Sequence, residues 1–281
     1  MLYIWRHFRL QVPDDWEMLF YAKPLQAGRC AFADRYQHRL EFSWSIVPSK
    51  PDFDRMISDY LAEVRRDERA SEAAETEVAG WRGFSAQLGD VRTTRFGAYM
   101  PEERVLLECV FLWPKRREKD VERRVLGSIA YEPAHEGLRR WRAFGMDCDV
   151  TEGLALHTAK IAPGSALLSF RPEKDDGREE NFERLALVEH WLRRPLREWL
   201  AMRRPSRVRV LAQETLTDGP RELEHLSGDR PAAGIARAWA GRTRFDSRAW
   251  RDPQDDRLYV QSISGGDPAV GRRLFSAEER S

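Results

Sequence analysis

Two phrases of this chain say nearly the same thing. W-R-H-F-R-L-Q-V-P-D-D-W-E-M opens at Trp5, and W-R-A-F-G-M-D-C-D-V-T-E-G-L opens at Trp141. An offset of 136 carries Trp5, Arg6 and Phe8 onto Trp141, Arg142 and Phe144. It also carries Leu10 onto Met146, Val12 onto Cys148, Phe20 onto Leu156 and Gly28 onto Gly164. In each half an alternating segment meets a polar turn and a second segment, the pattern of a β-hairpin. A repeat of this length constrains the fold more than any other feature, because each copy must be a domain in its own right.

The copies agree further along. Leu40, Phe42, Trp44 and Ile46 alternate with polar neighbours, which predicts a half-buried strand. Phe53, Met56, Ile57, Tyr60, Leu61 and Val64 share one helical face, and Pro51, Asp52 and Asp54 supply helix-start chemistry. In the second half Leu187, Val188, Trp191 and Leu192 match Met56, Ile57, Tyr60 and Leu61 at an offset of 131. The reduced offset predicts a shorter strand region there, with a loop over Glu173 to Glu180. E-E-R-V-L-L-E-C-V-F-L-W from Glu102 is echoed by D-D-R-L-Y-V-Q-S-I-S from Asp255. D-V-E-R-R-V-L-G-S from Asp120 is echoed by A-V-G-R-R-L-F-S-A from Ala269. The expected class is α+β: two tandem copies of an antiparallel sheet packed with one main helix and a short terminal helix, related by a pseudo-twofold. Their expected limits are 1–135 and 136–281, joined near Y-E-P-A-H-E-G-L.

This order resembles the Mog1/PsbP-like α/β sandwich, which includes DcrB-type domains. The phrase that carries the resemblance is Phe8, Leu10, Val12, Pro13 and Trp16. The second copy departs from it, with Asp149 in place of the proline and Gly153 where a tryptophan is expected. The resemblance implies binding or assembly work. DcrB-type chaperones use paired domains to grip hydrophobic helices of their clients.

Composition narrows the possibilities. Hydrophobic residues make up 42% of the 281 and charged residues 33%, a water-soluble globular balance. Lys plus Arg is 47 against 46 acidic residues, so the chain as a whole has no attraction for nucleic acid or anionic membrane. No apolar run has the length of a signal peptide or a bilayer span. Cys30, Cys109 and Cys148 are far apart and lie in strand-like segments, so buried free thiols are expected. A cytoplasmic protein is the expectation.

Several motifs fail on inspection. G-D-P-A-V-G-R-R from Gly266 has the glycine spacing of a phosphate loop, but Arg272 and Arg273 stand where Lys and Ser or Thr are needed. A structural loop and terminal helix are expected instead. His135-Glu136 begins like a zinc-protease helix, yet Arg139 occupies the second histidine's place. Asp147, Cys148, Asp149 and His157 are close in sequence, but strand alternation puts Cys148 on the face opposite both aspartates. No metal or cofactor is called for, and no serine elbow or paired-cysteine knuckle occurs.

The surface with most to say is H-W-L-R-R-P-L-R-E-W-L-A-M-R-R-P-S-R-V-R-V. Its candidate binding residues are Trp191, Arg193, Arg194, Arg197, Arg203 and Arg204, with Arg207 and Arg209 beyond, and Trp81 elsewhere. Arginine beside aromatic rings suits phosphates and bases, or an anionic protein. The simpler account is a helix whose Val188, Trp191, Leu192, Leu196 and Trp199 face a core while the arginines face water. Pro195 is expected to bend or divide it. Trp5, Trp44, Trp113 and Trp141 fall in strand patterns, whereas Trp81, Trp239 and Trp250 fall near turns. The leading expectation is a non-catalytic adaptor or chaperone binding a protein or peptide, with no membrane insertion. One alternative is an enzyme or small-molecule binder with its site between the copies, where Arg6, Arg142, Asp34, His38 and His157 are the first suspects. The other is a nucleic-acid binder using Arg193 to Arg209.

Overall fold

The structure is a computed structural model and describes residues 1–174, 177–218, 221–231, 242–253, 255–265 and the backbone of 276–277. The chain forms two compact units, one of residues Met1–Tyr131 and one beginning at Glu132. The echo at Ala269, the phosphate-loop-like stretch at Gly266, Arg272 and Arg273, and Trp239 lie outside the described residues.

The first unit opens with a hairpin of β1 (Leu2–Trp5) and β2 (Phe8–Gln11). Its two-residue turn is Arg6-His7, both at positive φ (49° and 72°), as a turn matching the strand twist requires. A seven-stranded sheet follows: β3 (Glu17–Tyr21), β4 (Ala27–Ala33), β5 (His38–Ile46), β6 (Ala70–Val78), β7 (Trp81–Leu88), β8 (Val91–Met100) and β9 (Val105–Trp113). Every pairing is antiparallel, and the order is β3-β4-β5-β9-β8-β7-β6. The last strand thus enters the middle and joins two meanders.

Period-two patterning builds the core. Leu40, Phe42 and Trp44 of β5 pair with Phe111, Cys109 and Leu107 of β9, and all six are buried. Phe8 of the hairpin packs on Phe42 at 5.8 Å, and Tyr3 meets Phe32 edge-on at 5.1 Å. Phe8, Leu10, Val12 and Trp16, the phrase that carried the family resemblance, are all buried.

Helix α1 (Phe53–Val64) covers part of the other face, setting Ile57 and Leu61 against Phe84. It starts where expected because the Asp52 side chain accepts from the Arg55 backbone N–H at 3.1 Å. Asp52→Ala is expected to cost about 1 kcal/mol, read by urea unfolding, while Asp52→Asn stays within a few tenths. An equal loss in both variants would place the effect elsewhere. Helix α2 (Lys119–Ser128) closes the first unit's described helices and packs beside β2 and β6. The short strand β10 (Ala130–Tyr131) then pairs with β2.

The second unit opens with β11 (Leu138–Ala143) and β12 (Met146–Thr151), turning at Phe144 (φ 56°) and Gly145 (φ 72°). This corrects the pairing of the halves at the hairpin. The turns Arg6-His7 and Phe144-Gly145 stand two residues out of step with the 136 offset, so Phe8 begins a strand while Phe144 turns. A slip of two keeps every side chain on its own face. Gly28 and Gly164 are also inequivalent: Gly164 turns at φ 79°, whereas Gly28 lies in a strand against the Trp44 ring.

Its sheet comprises β13 (Leu154–Ala162), β14 (Ser165–Pro172), β15 (Glu179–Leu185), β16 (Arg209–Asp218), β17 (Arg221–Pro231), β18 (Arg242–Arg251) and β19 (Leu258–Ser264). The order is β13-β14-β15-β19-β18-β17-β16, position for position that of the first sheet. β15 is shorter than β5, but β13 and β14 are longer than β3 and β4, so the expected shortening of the strand region is not seen, and Glu179 and Glu180 belong to the strand and not to the preceding loop. A two-residue strand, β20 (Ser276–Ala277), pairs with β12. The single matching helix is absent. Two short helices, α3 (Val188–Trp191) and α4 (Leu196–Arg203), replace it. No helix among the described residues is long and apolar enough to cross a membrane.

Candidate functional site

The α3–α4 surface is shaped by three backbone choices. Leu187 takes left-handed geometry (φ 55°, ψ 40°) and turns the chain into α3. Pro195 precedes α4 with extended geometry (ψ 139°), so it divides the segment. Arg204 is extended (ψ 145°) ahead of Pro205, which ends α4 after eight residues. The apolar positions then sort by depth. Val188, Leu200 and Val208 are buried against Leu226, Phe245, Ala249, Leu258 and Val260. Leu192, Leu196 and Trp199 are partly buried on the same cluster.

What remains outside is apolar as well as basic. Leu187 is 62% exposed, Met202 63% and Leu211, at the β16 bulge, 60%. Trp191 is 37% exposed and packs on Trp199 with ring centroids 5.7 Å apart and planes at 45°. Its Nε1 donates to the Ala186 carbonyl at 2.8 Å, which fixes the ring. The Arg203 guanidinium lies 4.7 Å from the Trp199 ring centroid and pairs with Glu183 at 2.7 Å. Arg194 points at the Met202 sulfur at 3.0 Å. Arg197 donates to the Gln213 carbonyl at 3.2 Å, and Gln213 donates back to the Arg197 carbonyl at 2.6 Å, clamping α4 to β16. Arg204 donates to the Ala201 carbonyl.

Of the named candidates, Trp191, Arg194, Arg197, Arg203 and Arg204 make the local contacts just described, and Arg193 is exposed between α3 and α4. Trp81 does not join them. It opens β7, 6% exposed, and its ring belongs to packing. Trp250, expected near a turn, is fully buried in β18 and stacks on Tyr259 at 5.8 Å. Trp5, Trp44, Trp113 and Trp141 are core residues, as their strand patterns predict.

Two of the first enzymatic suspects, Asp34 and Arg142, have local structural partners. Asp34 accepts from the N–H groups of Tyr36 and Gln37 and binds Arg39, holding the β4–β5 turn. Arg142 lies 3.5 Å from Asp147, its cross-strand neighbour. His38 starts β5 and His157 sits at the β13 bulge, both exposed. The three cysteines are buried and free, and burial pushes their thiols well above the ordinary range, which makes them unreactive. Among the described residues no three His, Cys, Asp or Glu side chains are grouped as metal ligands would be.

Two polar clusters were not visible beforehand. In the first unit Glu122 is fully buried and accepts from Thr94, Trp113 and Arg117. In the second, His225 on β17 stands 3.1 Å from Glu214 on β16 and 3.1 Å from Asp246 on β18. The Asp246 and Glu214 carboxylates hold the imidazole's pKa above its ordinary value, against partial burial. The first unit also contains a cleft of about 390 Å³ between the start of the chain and α2, bordered by Val12, Pro13, Val121 and Arg124.

No family model matches the chain, and no curated protein matches it significantly. Solved structures offer only distant likeness. A crystal structure from Bacteroides thetaiotaomicron aligns at 11% identity and a TM-score of 0.31, over 49% of this chain and 50% of its own. The chain thus spans about half of that protein. The apo immunity protein TplEi of T6SS from Pseudomonas aeruginosa aligns over 95% of this chain and 88% of its own, at 10% identity and a TM-score of 0.37. The same protein complexed with "L" peptide gives 9%, 95%, 87% and 0.34.

Proposed function

We propose that the protein is a non-catalytic adaptor or chaperone that binds a protein or peptide through the α3–α4 surface. The observation that carries this reading is the outward placement of Leu187, Trp191, Met202 and Leu211 on neighbouring elements of one unit. Large apolar side chains cost little when exposed singly, but a cluster of them beside aromatic and arginine residues is the usual make-up of a binding surface. The same proposal takes the halves as tandem copies of a Mog1/PsbP-like, DcrB-type domain working in the cytoplasm. The identical strand order of the two sheets and the ordered pairs of similar phrases support the duplication. Three unpaired thiols suit a reducing compartment.

The test is purification of the tagged chain from its native cells, followed by mass spectrometry of what accompanies it. One stoichiometric protein partner is expected. The double variant Leu187→Ser, Met202→Ser should lose that partner while its circular dichroism and unfolding midpoint stay unchanged. A bound small molecule or nucleic acid in place of a protein would overturn the reading.

A further inference from the structure

Many of this chain's arginines sit beside carboxylates, among them Arg39 with Asp34, Arg82 with Asp54, Arg95 with Glu108, Arg171 with Glu179 and Arg242 with Asp229. Around α4, by contrast, Arg193, Arg194, Arg197, Arg204 and Arg207 have no carboxylate partner among the described residues. These five cations fall within residues 193–207, close in sequence to the exposed Trp191 and Met202, and Arg194 lies against the Met202 sulfur at 3.0 Å. We propose that this surface receives an acidic peptide segment bearing aliphatic or aromatic anchors. The proposal rests on the protein-binding reading above and specifies the partner's chemistry.

The alternative anion is a single-stranded nucleic acid, and the ring geometry disfavours it. Base stacking needs a free aromatic face. Arg203 lies over the Trp199 ring and Trp191 packs against it at 45°, so Trp199 has little face to offer. The remaining exposed side chains, Leu187, Met202 and Leu211, are aliphatic or thioether groups. These suit leucine, isoleucine or phenylalanine anchors, and methionine adapts its shape to varied partners. The arginines then meet carboxylates around those anchors, a polar rim about an apolar centre. Arg194 can follow either role because its guanidinium already lies against the Met202 sulfur.

The experiment is selection of a random twelve-residue peptide library on the immobilised full chain. Selected peptides are then titrated against the wild type and the double variant Arg193→Glu, Arg194→Glu, with oligothymidylate as competitor. Both positions are exposed and hold no structural ion pair, so the variant should unfold at the wild-type midpoint. The expected result is enrichment of peptides combining Asp or Glu with Leu, Ile or Phe. Their affinity should fall by about tenfold or more in the variant and weaken from 50 to about 300 mM salt. Enriched peptides without acidic residues, or ones that bind the variant equally well, would overturn the inference and leave the broader protein-binding reading standing. Absence of any enriched peptide together with tight oligothymidylate binding would overturn both.

Discussion

Glu122→Ala should lower the stability of the first unit by about 3–5 kcal/mol, a larger loss than any other single change considered. The carboxylate is fully buried, and it gathers four elements: Thr94 of β8 at 2.6 Å, the Trp113 indole of β9 at 3.0 Å, Arg117 before α2 at 2.8 Å, and α2 itself. Arg117 continues the network to Thr76 of β6 at 3.1 Å. Removing the carboxylate strands a guanidinium that is only 10% exposed and leaves the Trp113 indole N–H only its longer bond to Thr94 Oγ1 at 3.3 Å. Thermal unfolding should show the midpoint down by about 10 °C. Replacing both partners, as Arg117→Met with Glu122→Leu, should cost less than Glu122→Ala alone, because no charge is then left buried without a counter-charge. If the single variant costs under ~1 kcal/mol, the network contributes rigidity and not stability.

His225→Gln should cost about 2 kcal/mol at mildly acidic pH and progressively less in alkali. A charged imidazole donates to Asp246 and Glu214 at once, and hydrogen bonds to ionised partners are worth about 1.5–3 kcal/mol each before losses. A neutral imidazole has one N–H, so one carboxylate must then go without. The folded-state pKa is raised, chiefly by the bond to Asp246 and then by that to Glu214, despite partial burial and the opposing charge of Arg248 across the strand pair. Arg244 also binds Asp246 at 2.8 Å and shares its charge. A raised pKa makes the contribution fully present below the unfolded value of about 6.5 and lost as pH climbs through the folded value. Denaturant unfolding of wild type and variant should therefore diverge at pH 5.5 and converge near pH 9. A gap that widens with pH would mean that the ring is held neutral.

How much of this could be read from the residues alone depends on the range of the contacts involved. Helix 53–64 was legible because its stripe is local and Asp52 marks its start. The strand 40–46 was legible because strict alternation leaves no other period. The hairpins expected across the polar turn after each alternating segment do not form: the chain turns instead at Arg6-His7 and Phe144-Gly145, so β2 pairs with β1 and β3 with β4. The alignment of the halves was hidden too, since a two-residue slip keeps inside and outside unchanged. The stripe Val188 to Trp199 suggested one helix because apolar spacing survives a break, yet Leu187 and Pro195 set backbone angles that make two. Trp81 was a candidate binding residue yet is buried, because position near a turn says little about depth. The clusters at Glu122 and His225 were hidden for a different reason. Glu214, His225 and Asp246 come from three strands, and only the register of β16, β17 and β18 makes them neighbours. The arginines of α4 were visible as a charged run. That Arg197 and its neighbours Arg193, Arg194, Arg204 and Arg207 lack carboxylate partners among the described residues, while Arg203 pairs with Glu183, became visible only in the structure.

The place of β9 and β19 in their sheets bears on how the chain is born. Each is the last strand of its sheet to leave the ribosome, and each must slot between strands already made. Leu40 waits for Phe111, and Phe182 for Gln261, separations of about 70 to 80 residues that make closure slow relative to local hairpins. Until then each nascent sheet is two meanders with facing open edges. β5 and β15 would then present unpaired backbone and the Phe42 and Phe182 rings to solvent. The first sheet has its closing strand by Trp113, before the second has begun, so at most one sheet need stand open at a time during synthesis.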